Sequence, residues 1–235
     1  MTEMLFLMDS YLREFEATVE KIDGNRIILD KTAFYPRGGG QPCDFGKLII
    51  GDKVYEVVDA RKEGSDVIHE LSENINNIHN KVKGIINWER RYKLMRMHTA
   101  AHILDVILYN EAHALCTGNQ LGTDKSRIDF SLEIIDKEKI QNYFYMANEI
   151  VKRGLDVKIY NMKREAALKI PGIIKLAGAT PPDVEELRIV EVPGIDIQAD
   201  GGTQVSNTRE IGEILLLSIE NKGKNNRRVY YNIEH

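Results

Sequence analysis

Residues 93–110, KLMRMHTAAHILDVILYN, contain neither glycine nor proline, and the apolar Leu94, Met97, Ala101, Leu104, Ile107 and Leu108 recur three and four apart. That period predicts an α-helix with one buried stripe. The chain before it reads as short strands and the chain after it as helices mixed with strands, so this segment divides the fold. It also carries chemistry. His98 and His102 stand four apart, so both imidazoles leave one helix face a turn apart. Two neutral imidazoles placed this way can bite one metal ion. Six histidines in 235 residues also yield such a pair by chance, so the spacing alone leaves an ordinary buried histidine face open.

With 43% apolar and 29% charged residues, the composition is that of an ordinary globular chain. No apolar run reaches the roughly 20 residues that span a bilayer. The apolar residues 4–8 are too few for a signal-peptide core and lack a basic leader, so a cytoplasmic protein without a membrane partner is expected. Cys43 and Cys116 are too few for a disulfide framework and are not spaced as a metal pair, which makes them buried or spare thiols. The net charge of −4 excludes no function class, because nucleic-acid binding depends on local basic patches. Arg90, Arg91, Lys93 and Arg96 precede the histidines, and Lys222, Lys224, Arg227 and Arg228 lie near the C-terminus. Such runs are more often solvated faces than phosphate sites.

The first domain is expected over residues 1–88. Short β-type runs at 15–22, 26–30, 47–50, 54–59, 67–71 and 82–87 are separated by turn signals at 23–25, 51–52 and 64–65 and by the polar 74–80 stretch. They predict a small β-barrel-like domain or a strongly curved sheet. Among them lies AFYPRGGGQPCDFG, residues 33–46, whose Gly38, Gly39 and Gly40 permit unusual backbone angles and close approach of a ligand. The second domain is expected over residues 89–235. It should hold a helix over 89–113, a loop over 118–125, and a strand at 126–132. A second amphipathic helix follows, capped by Asp136, running through Lys152 and stopped by Gly154. A strand at 156–160, a short helix at 163–169, a strand at 187–192 and a hairpin of 213–220 with 227–233 complete it. The whole predicts an α+β chain whose second domain has two layers and a mainly antiparallel sheet. Within residues 196–205, Asp200 and Gln204 are four apart around a Gly-Gly pair. Asp200 either completes a three-ligand set with the two histidines or caps a local polar turn.

Taken together, these segments resemble the alanyl-tRNA editing proteins (the AlaX family), free-standing relatives of the editing domain of alanyl-tRNA synthetase. The resemblance rests on Phe34, Tyr35 and Pro36 with Gly38, Gly39, Gly40 and Gln41; on Met97-His98-Thr99-Ala100-Ala101-His102; and on Ser126-Arg127-Ile128-Asp129-Phe130-Ser131. It rests also on residues 188–208 with Gly201, Gly202 and Thr203, and on the basic segment 222–228. They occur in the family's order from about residue 15 to the end, with the length of the medium type. At the metal site the chain departs from the usual Cys-Gly-Gly-Thr-His pattern, presenting Asp200 and Gln204 instead. A soft thiolate becomes a hard oxygen ligand, and an imidazole becomes a weakly ligating amide. Zinc accepts carboxylate oxygen, so His98, His102 and Asp200 can still hold one ion, with Gln204 orienting a water or Asp200. An oxygen-richer site also discriminates less between metals.

The resemblance implies ATP-independent hydrolysis of the ester joining serine or glycine to the 3′ end of alanine tRNA, an activity that protects translation fidelity. Such an enzyme has a physical purpose, since a pocket for alanine cannot exclude glycine and rejects an added hydroxyl only about a hundredfold. Metal-assisted attack by water fits better than an acyl-enzyme, because no Ser-His-Asp or Cys-His set is evident. Gln41 is then a candidate for orienting water or substrate, and Thr32 for sensing the serine hydroxyl. The glycine loop would approach the substrate, while Arg90, Arg91, Arg96, Lys222, Lys224, Arg227 and Arg228 would contact phosphates near the acceptor end. Two rival classes are a catalytically degenerate tRNA-binding module and a two-histidine, one-carboxylate iron oxygenase. The latter fits poorly because the histidine pair lies on a helix. Nothing fixes the oligomeric state, and a monomer suffices.

Overall fold

The computed structural model describes residues 1–76, 80–134, 136–178, 180 and 183–234. The chain divides into two units, Met1–Lys93 and Leu94–His235. In the first unit the alternating runs become β1 (Glu3–Met4), β2 (Glu14–Asp23), β3 (Arg26–Leu29), β4 (Lys31–Thr32), β5 (Gly46–Ile50), β6 (Lys53–Glu63), β7 (Asp66–Leu71) and β8 (Lys81–Ile86). The order β2-β3-β7-β6-β5-β8 closes through antiparallel pairing of β2 with β8, giving a closed barrel. Part of the expected 74–80 turn, at residues 77–79, lies outside the described residues.

Alternation along these strands sends Phe15, Ala17, Ile27, Leu48, Tyr55 and Val67 inward, and together with Leu29, Val57 and Val82 they fill the barrel. The Phe15 ring lies so close over Gly84 that a Cβ there would sit 2.2 Å from its Cε1. Strand β6 runs well past its expected end at 59. A bulge between Val57 and Asp59 bends it so that the charged continuation keeps pairing with β7. The apolar N-terminal segment belongs to this unit, with Phe6 buried edge-on against Tyr35 at 5.2 Å.

From the end of the barrel runs α1 (Trp88–Ala112), followed by β9 (Cys116–Gln120), β10 (Ser126–Phe130), α2 (Lys137–Arg153), β11 (Lys158–Lys163), α3 (Arg164–Ala167), β12 (Glu186–Val192), β13 (Asp196–Ala199), β14 (Glu213–Asn221) and β15 (Arg227–Glu234). The antiparallel pairing expected here falls into two sheets, β14-β15-β10-β9 and β11-β12-β13. Helix α2 follows its sequence signals closely. Asp136 accepts from the Lys139 amide at its start, Gly154 ends it in the left-handed conformation, and Ile140, Phe144, Ala147 and Val151 form its buried face. Its Asn148 takes the place of a neighbouring strand for the edge of β14, accepting from Ile214 N at 2.8 Å and donating to Ile214 O at 2.9 Å.

Two expectations are corrected, and one strand is added. Residues 118–120, expected as loop, belong to β9, where β10 supplies the ladder that a sequence poor in β-formers does not advertise. The strand expected at 156–160 begins at Lys158 and extends to Lys163 along β12. Strand β13 lies in the 196–205 segment, to which no strand was assigned, and is turned back onto β12 by the tight turn through Gly194 (φ 73°). No helix among the described residues is long and apolar enough to cross a membrane.

Candidate metal centre

Helix α1 carries more than the expected single buried stripe, because every residue from 94 to 108 is buried. Its enclosed polar members, Arg96, His98, Thr99, His102 and Asp105, must therefore find partners inside the protein. His98, His102 and Asp105 follow at steps of four and three along one side of it. Strand β13 and the turn after it supply the facing groups. His98 Nε2 lies 3.5 Å from Asp200 Oδ1, and His102 Nε2 lies 4.0 Å from Asp200 Oδ2. Asp200 is held in place by the Gly202 amide at 2.8 Å, by Gln204 Nε2 at 3.1 Å, and through its carbonyl by Arg188 at 2.6 Å. The turn thus caps its own backbone while its carboxylate faces the two imidazoles.

Behind these three groups lies a second set of contacts. His102 Nδ1 is 3.3 Å from Asp196 Oδ2, Gln198 donates to that same oxygen at 2.9 Å, and Lys175 Nζ is 2.6 Å from Asp196 Oδ1. The Thr99 hydroxyl donates to Gln204 Oε1 at 2.7 Å, which turns the Gln204 amide nitrogen toward His102 Nε2 at 3.3 Å. Asp105 Oδ1 has no hydrogen-bond partner among the described residues. Burial pushes the Asp105 carboxyl up to about 6, against the pull of His102 and Lys175.

Burial lowers His98 to about 4, so it is neutral at pH 7. Burial also opposes charge on His102, but its bond to Asp196 and the carboxylates of Asp200, Asp196 and Asp105 outweigh it and raise its pKa. Burial alone would raise Asp200. The adjoining imidazoles, Arg188 and the Gln204 amide outweigh it and hold the carboxyl well below its usual range.

The donor set fits a small divalent cation. Bonds of about 2.0–2.1 Å in a tetrahedron place donor atoms roughly 3.4 Å apart, and one donor atom from each of His98, His102 and Asp200 lies within 4.8 Å of the others. A bound cation would take the place of a proton shared among these groups. A cleft of about 290 Å³ opens beside Asp200, lined by Ile174, Leu187, Arg188, Gln198, Ala199 and Gly201 among others.

The barrel unit places the other expected groups as follows. Gly38 and Gln41 exchange backbone hydrogen bonds of 3.0 and 2.9 Å around Gly39 (φ 57°) and Gly40 (φ 85°). The glycine segment is therefore a tight two-residue turn with both central residues in the left-handed region. The Gln41 side chain is buried. Thr32 is fully buried, accepting from Phe34 N at 3.1 Å and donating to His69 Nε2 at 2.8 Å. Its hydroxyl is thus engaged with His69 in the barrel interior.

Four of the arginines expected at phosphates have partners within the protein. Arg91 is fully buried, paired with Asp44 and donating to Ser10 O. Arg96 is buried and donates to the carbonyls of Ile211 and Glu234. Arg227 is buried against carbonyls of Gly223, Asn226 and Glu133, bracing the β14–β15 turn. Arg228 pairs through two bonds with Asp129 directly across the sheet. Arg90 lies over the exposed Phe45 ring at 4.1 Å, and Lys222 and Lys224 are exposed in the turn.

Three groups at the centre escape a reading of the sequence alone. Asp105 could have been found from its place one turn past His102, and Asp196 from its place in the same polar segment as Asp200. Lys175 leaves no signal.

Residues 187–230 match the family described as threonyl and alanyl tRNA synthetase second additional domain, and residues 3–90 match tRNA synthetases class II (A). The chain is 48% identical to alanyl-tRNA editing protein AlaX-M of Saccharolobus solfataricus over 100% of both chains. It is 45% identical to the AlaX-M protein of Methanosarcina barkeri over 99% of both. With the alanine–tRNA ligase of Methanococcus vannielii it shares 42% identity, across 93% of this chain and 24% of that protein. The likeness to the free-standing proteins runs end to end and embraces both the barrel and the His98–His102–Asp200 cluster, and on it the chain belongs to the alanyl-tRNA editing protein AlaX-M family.

Proposed function

We propose that this protein hydrolyses the ester linking serine or glycine to the 3′ end of alanine tRNA, acting in the cytoplasm on tRNA charged in error. The observation that carries this reading is the convergence of His98, His102 and Asp200 on one point of a buried helix face. A zinc ion bound there would polarise the ester and bring the pKa of an attacking water toward about 7. The residues do the rest. His98 is neutral at working pH and offers a lone pair. Asp200 stays ionised, with Gly202 and Gln204 fixing its oxygens. Gln204, braced by Thr99, directs its amide nitrogen at Asp200 Oδ2 and His102 Nε2. The cleft beside Asp200 offers space for the aminoacyl group.

The exposed Gly38–Gly40 turn, without side chains to obstruct it, suits close approach of the sugar-phosphate backbone. Gln41, at its end, is assigned to support of that turn's contact with the substrate. Arg90, Lys222 and Lys224 are assigned to phosphates of the acceptor end, which such cations hold without reading sequence.

The deciding experiment is deacylation of Ser- and Gly-charged alanine tRNA, with and without a chelator. Hydrolysis that chelation stops and zinc restores is expected. No hydrolysis of either substrate by the metal-loaded chain would leave a tRNA-binding module instead, and hydrolysis indifferent to chelator would overturn the role of the metal.

A further inference from the structure

His102 can serve as a ligand through Nε2 only if its ring proton resides on Nδ1, and the structure contains a device that puts it there. Asp196 Oδ2 faces Nδ1 at 3.3 Å. The carboxylate cannot turn away, because Lys175 holds Oδ1 at 2.6 Å and Gln198 holds Oδ2 at 2.9 Å. Lys175 is itself fixed, donating to the Gly172 carbonyl at 3.0 Å with its ammonium 5.8 Å from the centre of the Tyr109 ring. Both members of this ion pair are out of solvent, with side-chain exposures of 4% and 1%, so water does not compete for either charge. A buried ion pair of this kind gains little over apolar packing, which leaves stability a poor reason for its presence beneath a ligand. On the far side of the ring, Gln204 offers Nε2 a donor at 3.3 Å, which also suits an unprotonated nitrogen.

We propose that Asp196, clamped by Lys175 and Gln198, is a positioning residue that fixes His102 as the Nδ1–H tautomer and holds its Nε2 lone pair toward Asp200. Carboxylate–histidine pairs behind a metal commonly set ring orientation and basicity, and their loss costs about 10–100-fold in metal affinity. The inference rests on the proposed metal centre, but half of its test needs no metal.

Nitrogen-15 NMR of the imidazoles in the metal-free full chain, at a pH high enough to make His102 neutral, should show the proton on Nδ1. A proton on Nε2 would overturn the proposal whatever the metal content. Zinc titration against a chromophoric chelator supplies the second arm. Asp196→Asn should weaken binding by about 10–100-fold, and Lys175→Met in the same direction. Because Asp196→Asn strands a buried ammonium, the double variant K175M/D196N, neutral at both positions, is measured beside it. Wild-type zinc affinity in a folded double variant would overturn the proposal. If the unaltered chain binds no zinc, the reading of the metal centre fails, and the tautomer measurement alone still decides the role of Asp196.

Discussion

Asp200 Oδ1 stands 3.5 Å from His98 Nε2, a separation that matches two ligands of one tetrahedral cation better than a direct hydrogen bond. Asp200→Asn keeps the shape and the amide contacts of the turn but removes the charged oxygen. Zinc affinity, measured by chelator competition, should fall by at least about tenfold, as losing even a supporting group costs 10–100-fold. Deacylation should fall on the order of a thousandfold, since a metal ion contributes several kcal/mol of charge stabilisation. Unchanged affinity in the variant would remove Asp200 from the ligand set. Asp200→Cys, which supplies a thiolate that zinc binds well, should retain zinc.

How much of this centre could be read beforehand depends on how locally each part is encoded. The two imidazoles are four residues apart on one helix, so their convergence follows from helix geometry alone. Asp200 was visible as a candidate through its Gly-Gly neighbours, yet its meeting with α1 depends on β13, a strand of four residues that a polar sequence conceals. Lys175 lies in no regular element and was invisible. The inward placement of two arginines was hidden for a related reason. A basic run on a helix normally signals a solvated face, but α1 is enclosed, and Arg91 and Arg96 serve internal carbonyls and carboxylates. The barrel was legible because several of its strands alternate, and the reading fell short at the two-residue strands β1 and β4 and where a bulge carried β6 onward through charged residues.

His69 makes the metal-free barrel sensitive to acid. It donates through Nδ1 to Ile27 O and accepts from Thr32 through Nε2, and burial lowers its pKa from 6.5 to about 4. The unfolded chain therefore takes up a proton below about pH 6.5 that the folded chain refuses until about pH 4. Stability from this group is full above pH 6.5 and lost as pH falls toward 4, by up to about 3 kcal/mol. His98 acts in the same sense, so the comparison must be between the parent and His69→Gln. The variant should be less stable at pH 7, for want of the Thr32 bond, yet lose less between pH 7 and pH 4.5 in urea titrations. Parallel pH profiles would show that His69 takes up its proton alike in the folded and unfolded chain.

The exposed turn lysines should act on RNA through charge alone. Lys222→Ala with Lys224→Ala ought to weaken tRNA binding and flatten its dependence on salt by about one to two counterions, one for each phosphate no longer neutralised. Arg227→Met, which unties the carbonyls of Gly223, Asn226 and Glu133, should lower the melting temperature instead. A salt slope unchanged by the double lysine substitution would move the phosphate-binding cations elsewhere.

Two glycines of the barrel unit differ in why they are glycine, and the difference can be measured. At Gly39 an added Cβ meets nothing within 4 Å, but φ is 57°, so Gly39→Ala is opposed only by backbone strain of about 1–2 kcal/mol. At Gly84 the Cβ would fall 2.2 Å from Phe15 Cε1, 2.4 Å from Cζ and 2.9 Å from Cδ1. Gly84→Ala must therefore push the Phe15 ring, and with it the Phe34 ring stacked edge-on at 5.8 Å, within a closed barrel that has no slack. We expect a loss of about 1–3 kcal/mol or more by urea denaturation. Pairing it with Phe15→Leu separates the two causes. The smaller side chain makes room, so the double variant should be less destabilised than the sum of the single changes, whereas Phe15→Leu should leave the cost of Gly39→Ala untouched. Strict additivity between positions 15 and 84 would mean that the ring escapes the methyl group by another route.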